Sequence, residues 1–217
     1  MSEPQVHHWD KGRVEAFSDG VFAIAITLLV LDIGIDPREF GDIWGALGDE
    51  WPSYVAFATS FLTIGGVWIS HHESFTRLRF VDPGLLRINL LLLMVVSFLP
   101  FPTALMADAL EAARGAERAA IIVYGATAIA IELISVWMRR YAEARPYLLP
   151  QEEQPPPDPT VRHVRKVAGV PIVWAITIAI GVIFFPKVAA VMYLIVAAQG
   201  VFQLGRGRPP AHAAQPG

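Results

Sequence analysis

Six stretches of this chain are each long and apolar enough to lie in hydrocarbon: roughly Glu15 to Ile35, Trp51 to His71, Leu85 to Met106, Ala119 to Met138, Val167 to Phe185 and Val188 to Leu204. A helix rising about 1.5 Å per residue needs about 20 residues to cross a bilayer core of about 30 Å. None of the blocks shows the two-residue alternation of an outer-membrane strand, and a segment facing lipid must satisfy its own backbone, so helices are the solution. The last two blocks are the shortest and are parted only by Pro186 and Lys187, which predicts a tight hairpin. The expected fold is all-α with six transmembrane helices.

Composition narrows the function classes. With 54% hydrophobic and only 17% charged residues, the chain is too oily for a soluble domain of its length. A formal net charge of -3 leaves no broad basic surface, so nucleic acid is excluded as a partner. No cysteine is present, which removes disulfides, thiol nucleophiles and thiolate-held metals. No HExxH, GxSxG or paired-aspartate motif occurs, so an enzyme is not expected.

The basic residues set an orientation. Lys11, Arg13, Arg77, Arg79, Arg87, Arg139, Arg140, Arg145, Arg162, Arg165, Lys166, Arg206 and Arg208 fall on one side of a six-helix layout, and only Arg38, Arg114, Arg118 and Lys187 on the other. The positive-inside rule then places both termini in the cytoplasm. Residues 1–12 read as a cytoplasmic N-terminus without the order of a cleaved signal, so the first helix is expected to stay as an anchor. Residues 13–204 read as the membrane domain, interrupted at about 141–160 by an exposed cytoplasmic linker containing QEEQPPPDP. Residues 205–217 read as a disordered tail.

The most unusual stretch is RVEAFSDGVFAIAITLLVLDI, from Arg13 to Ile33. Its pattern R-x-x-x-F-S-D, carried by Arg13, Phe17, Ser18 and Asp19, followed by GVFAIAITLLVLDI, resembles the signature of the prokaryotic branch of the transmembrane protein 175 family of potassium channels. The resemblance implies a homotetramer of six-helix subunits in the bacterial inner membrane, with the first helix lining a central pore that passes potassium ions. It implies no cofactor, and no TVGYG filter loop, which this sequence indeed lacks. It further implies that Ile24, Leu28 and Leu31 form stacked apolar rings on the ion path. The FSD positions are expected in a polar knot with Trp68 and His71 of W-I-S-H-H.

Helical periodicity bears on the same residues. At about 100 degrees per residue, Ile24, Thr27, Leu28 and Leu31 share one stripe, where Thr27 offers a hydroxyl ring to a partly dehydrated ion. Asp19 lies about 140 degrees away from Ile24 and should face neighbouring helices. A carboxylate near a span centre costs about 3 kcal/mol unless paired, so a partner is expected among Trp68, His71, His72, Arg13 and Asn89. The pore-lining set is thus Ile24, Thr27, Leu28 and Leu31, and the supporting network is Arg13, Phe17, Ser18, Asp19, Trp68, His71 and Asn89.

Other polar residues read more plainly. His71 and His72 are adjacent, so they do not converge on a metal as residues i and i+4 would. Glu132 is expected to snorkel or to pair with another helix. Pro100 and Pro102 are expected to close the third helix, and Gly65 and Gly66 to permit close packing. The competing function is a proton-coupled secondary transporter with Asp19, Glu132 and His71 as its relay, although no inverted repeat is visible.

Overall fold

The computed structural model describes residues 9–111, 114–150 and 186–204. Its α-helices are α1 (Lys11–Leu28), α2 (Ile43–Asp49), α3 (Trp51–Thr76), α4 (Pro83–Phe98), α5 (Pro100–Glu111), α6 (Arg114–Glu143) and α7 (Pro186–Leu204). Four stretches among the described residues are long and apolar enough to cross a membrane: Lys11–Asp32, Trp51–Thr76, Pro83–Leu110 and Ala116–Glu143. The chain is a multi-pass membrane protein. The fifth apolar block, Val167 to Phe185, lies outside the described residues, as do 1–8 and 205–217. Pro186 opens α7, so the hairpin expected there cannot be drawn from the described residues.

Aspartates cap the starts of α1, α2 and α4. The Asp10 carboxylate accepts from Gly12 N at 2.8 Å ahead of α1, and Asp82 accepts from Leu85 N at 2.7 Å ahead of α4. Each α-helical face then buries at the 3–4 spacing. On α1 the inward residues are Val14, Ser18, Phe22 and Ala25, and α1 lies against both α3 and α4. On α3, contacts to α1, α5, α6 and α7 leave a single open stripe. Hydroxyls inside the bundle are satisfied locally, as where Thr59 and Thr63 donate to the carbonyls of Val55 and Thr59 at 2.7 and 2.8 Å.

Three boundaries differ from the sequence expectation. The first block does not run helically to Ile35: α1 ends at Leu28 and continues as a 3-10 turn over Leu29–Asp32. Gly34 and the extended residue Asp36 before Pro37 break it there. Pro100 and Pro102 do not close the third span. Pro100 starts α5 in line with α4, because a residue without an N–H is tolerated in a first turn, and Thr103 uses both N–H and Oγ1 to hold the Leu99 carbonyl.

The third difference concerns residues 141–150, expected as the start of an exposed linker. α6 continues to Glu143, a 3-10 turn spans Pro146–Leu148, and Leu148 is fully buried with its carbonyl accepting from Arg79 N at 2.8 Å. Tyr141 and Tyr147 both donate to Asp82, and these bonds hold the segment to the bundle despite the Pro-rich sequence immediately after it. Residues 151–160 lie outside the described region.

A candidate pore helix and the polar knot behind it

The inward face of α1 carries one polar residue, Ser18, which is fully buried. Its Oγ donates to the Val14 carbonyl at 2.8 Å, so it can only accept from Asn89 Nδ2 at 3.0 Å. That fixes the amide: Asn89 Oδ1 faces His71 Nε2 at 2.8 Å, and the imidazole hydrogen sits on Nε2. His71 is clamped between Phe75, stacked at 4.2 Å, and the edge of Phe22 at 5.3 Å. Its Nδ1 has no hydrogen-bond partner among the described residues.

Beside this buried line runs a more open one. Trp68 Nε1 donates to Asp19 Oδ1 at 2.9 Å, His72 Nδ1 meets Glu15 Oε1 at 3.0 Å, and the Trp68 and His72 rings stack at 5.9 Å. Four helical positions of α1 and α3 are thereby tied side by side, with α4 joined through Asn89. Interhelical hydrogen bonds in membranes average only about 0.6 kcal/mol. Their larger effect is to fix the rotation of α1 about its own axis, because a slipped register would strand buried donors at about 1–3 kcal/mol each.

Of the expected supporting residues, the structure brings together Ser18, Asn89 and His71 in one chain and Asp19 with Trp68 in another. Arg13 and Phe17 stand apart: both are exposed, and neither makes a side-chain hydrogen bond or ion pair among the described residues. The Glu15–His72 pair lies outside the expected set, although a charged pair at one end of adjacent spans is consistent with both residues being near the same boundary.

With that side of α1 locked, the opposite side is open. Ile24 is 61% exposed, Leu28 42% and Leu31 73%, whereas the intervening Phe22, Ala25 and Leu29 are buried. The 3-10 turn sharpens the stripe: residues three apart eclipse in such a turn, so Leu31 lies more directly in line with Leu28 than α-helical spacing would put it. Thr27 is also exposed, and its Oγ1 donates to the Ile24 carbonyl at 2.9 Å, leaving the oxygen lone pairs outward.

Residues 13–100 match the family model described as the endosomal/lysosomal potassium channel TMEM175. A potassium channel of Chamaesiphon minutus is 42% identical over 146 residues, which cover 66% of this chain and 71% of the relative. The chain belongs to the TMEM175 family. A potassium channel of Streptomyces collinus is 50% identical over 125 residues, covering 57% of this chain and 60% of that relative's length. The crystal structure of a lysosomal potassium-selective channel TMEM175 homologue from Chamaesiphon minutus superposes with a TM-score of 0.73 at 32% identity, over 89% of this chain and 97% of that one.

In this TMEM175 member a second polar cluster sits at the end of the bundle where α4 begins. Asp82 is buried and accepts from Leu85 N, from Tyr141 at 3.0 Å and from Tyr147 at 2.8 Å. Burial pushes its carboxyl up, but the Leu85 N–H, the Tyr147 and Tyr141 hydroxyls and the Arg145 guanidinium outweigh that and hold it below its ordinary value. Arg145 lies 3.5 Å over the Tyr141 ring. Trp9 pairs with Val81 through Trp9 N to Val81 O at 2.9 Å, so the base of α1 is fastened to the same corner. The motif Asp82-Pro83-Gly84 ahead of an apolar run is a helix-start signal that a sequence reading can use; its tyrosine partners carry none.

Glu132 is partly buried on α6 without an ion pair among the described residues, and Arg139 instead donates to Ser70 Oγ at 2.9 Å. A further buried group, Ser60 with Thr103 at 2.7 Å and Tyr124 at 3.1 Å, pins α3 to α5 and α6.

Proposed function

We propose that this chain is a subunit of a passive, potassium-permeable cation channel of the bacterial plasma membrane, with several copies ringed around an axis and α1 innermost. The resemblance in the first span implies four copies. The reading includes six membrane helices, the fifth formed by Val167 to Phe185, and places the Arg-rich face and both termini in the cytoplasm.

The observation that carries the reading is the outward line of Ile24, Leu28 and Leu31 on a helix whose other side is held by Ser18 and Asp19. Brought around an axis, the side chains of Ile24, Leu28 and Leu31 form apolar rings, with the Thr27 hydroxyl as the one polar group between them. A cation entering such a dry passage loses hydration with nothing in exchange, so the rings must wet or widen for current to flow. The outward lone pairs of Thr27 supply partial coordination midway along the line. The names of the two bacterial relatives and of the solved homologue support potassium as the ion. With apolar rings and single hydroxyls in place of a carbonyl cage, discrimination against sodium should be modest.

The test is potassium flux into vesicles reconstituted with purified protein, with single-channel recording, for the wild type and Ile24→Asn. Stepwise currents in the wild type that change in conductance or ion ratio in Ile24→Asn are the expected result. Saturable flux driven only by a pH gradient and without steps would favour the proton-coupled transporter.

A further inference from the structure

The short connection between α3 and α4 is bonded on both sides. Val81 and Trp9 exchange backbone hydrogen bonds, Trp9 N to Val81 O at 2.9 Å and Val81 N to Trp9 O at 3.4 Å, and two residues earlier Arg79 N donates to the Leu148 carbonyl at 2.8 Å. The connection is itself well anchored. Leu78, Val81 and Leu148 are buried, the Phe80 and Tyr147 rings stack at 6.2 Å, and Asp82 holds Leu85 N, Tyr141 and Tyr147. On the other side of the bridge, Trp9 is joined closely to α1, because the next residue, Asp10, accepts from Gly12 N through its carboxylate and from Val14 N through its carbonyl. Movement of the first turn of α1 is therefore carried to the bridge.

We propose that the Trp9–Val81 bridge is a positioning latch for the pore helix, which must part when the apolar rings on α1 change width. The inference rests on the channel reading above. The bonds of Ser18 with Asn89 and of Trp68 with Asp19 hold α1 near the middle of its length and fix its rotation, so its outer half moves by tilting about them. From Lys11 to Leu28 the helix is uninterrupted and without proline, which lets it tilt as a rod. Ser18 lies ten residues before Leu28 and seven after Lys11, or about 15 and 10 Å along the axis. A tilt that moves Leu28 by about 3 Å, roughly the diameter of one water, therefore carries the base of α1 about 2 Å the opposite way. A shift of that size takes bonds of 2.9 and 3.4 Å beyond hydrogen-bonding distance, while the buried corner around Asp82 stays with α4 and α6.

The absence of cysteine makes the test clean. Residues that exchange both bonds across an antiparallel bridge have Cα atoms about 5.5 Å apart, a spacing that suits a disulfide. The double variant Trp9→Cys with Val81→Cys is reconstituted in bilayers, and its currents are recorded under a reducing thiol and again after oxidation, with the cross-linked fraction read by mass spectrometry. Transitions between conductance levels should fall several-fold or cease on oxidation and return on reduction, while the wild type and each single variant ignore both treatments. Transitions that persist unchanged in protein fully cross-linked between residues 9 and 81 would show that α1 bends above the knot with its base at rest, and overturn the proposal. A pair that never cross-links in conducting protein would overturn it too. Should the double variant fail to fold, Trp9→Pro removes the donor of the 2.9 Å bond ahead of the helix. Transitions several-fold more frequent than in the wild type are then expected, and an unchanged frequency would count against the latch in the same way. Wild-type protein that passes no current would instead overturn the channel reading, and the latch with it.

Discussion

Asn89 donates to Ser18 Oγ at 3.0 Å, across 71 positions of sequence, and with its other amide atom holds His71. One short side chain thereby sets α1 against α3 and α4 at once. Asn89→Leu should strand the buried His71 Nε2–H and lower the stability of the folded protein by about 1–3 kcal/mol. Trp68→Phe, which frees only the partly exposed Asp19, should cost less than about 1 kcal/mol. Thermal unfolding of both variants in detergent checks the order; equal losses would mean that the knot does not centre on Asn89.

Gly84, in the first turn of α4, lies directly against the Tyr141 side chain of α6. A Cβ there would collide with the Tyr141 hydroxyl and ring, so Gly84→Ala should destabilise by about 1–3 kcal/mol. The loss should shrink in the double variant with Tyr141→Ala, measured as a double-mutant cycle.

Asp82 should give the fold an acid limit. Its carboxyl titrates lower in the folded protein than in the unfolded chain, so its contribution to stability is fully present above the ordinary carboxylate value of about 3.9 and is lost as pH falls through the lower folded value. Asp82→Asn should be less stable than the wild type at neutral pH and should show less of this acid-dependent loss. Unfolding midpoints recorded from pH 6 downward test it, and parallel pH curves would contradict it.

The first four spans were legible because each is a long apolar run, and the polar residues inside them were conspicuous for the same reason. Asp19 required a partner on cost alone, and Trp68 stood among the candidates. The FSD turn gave the location of the knot, but depth alone could not single out Asn89 as its centre, since that depends on which way α4 is turned. The 3-10 turn at Leu29–Asp32 was hidden because Leu, Val and Leu suit either helix; its cause lies downstream in Gly34 and Pro37. Residues 141–150 read as a linker because of the proline content nearby, whereas Tyr141, Tyr147 and Leu148 find partners only across the bundle, in Asp82 and Arg79.

Accessibility of Ile24 from water tests the central claim most directly. In Ile24→Cys, otherwise free of thiols, a charged methanethiosulfonate reagent added to open channels in a bilayer should cut the potassium current irreversibly, while leaving the wild type untouched. A thiol at Ile24 that water-soluble reagents never reach, but that a lipid-soluble maleimide labels without effect on current, would place this face of α1 against lipid and contradict the account.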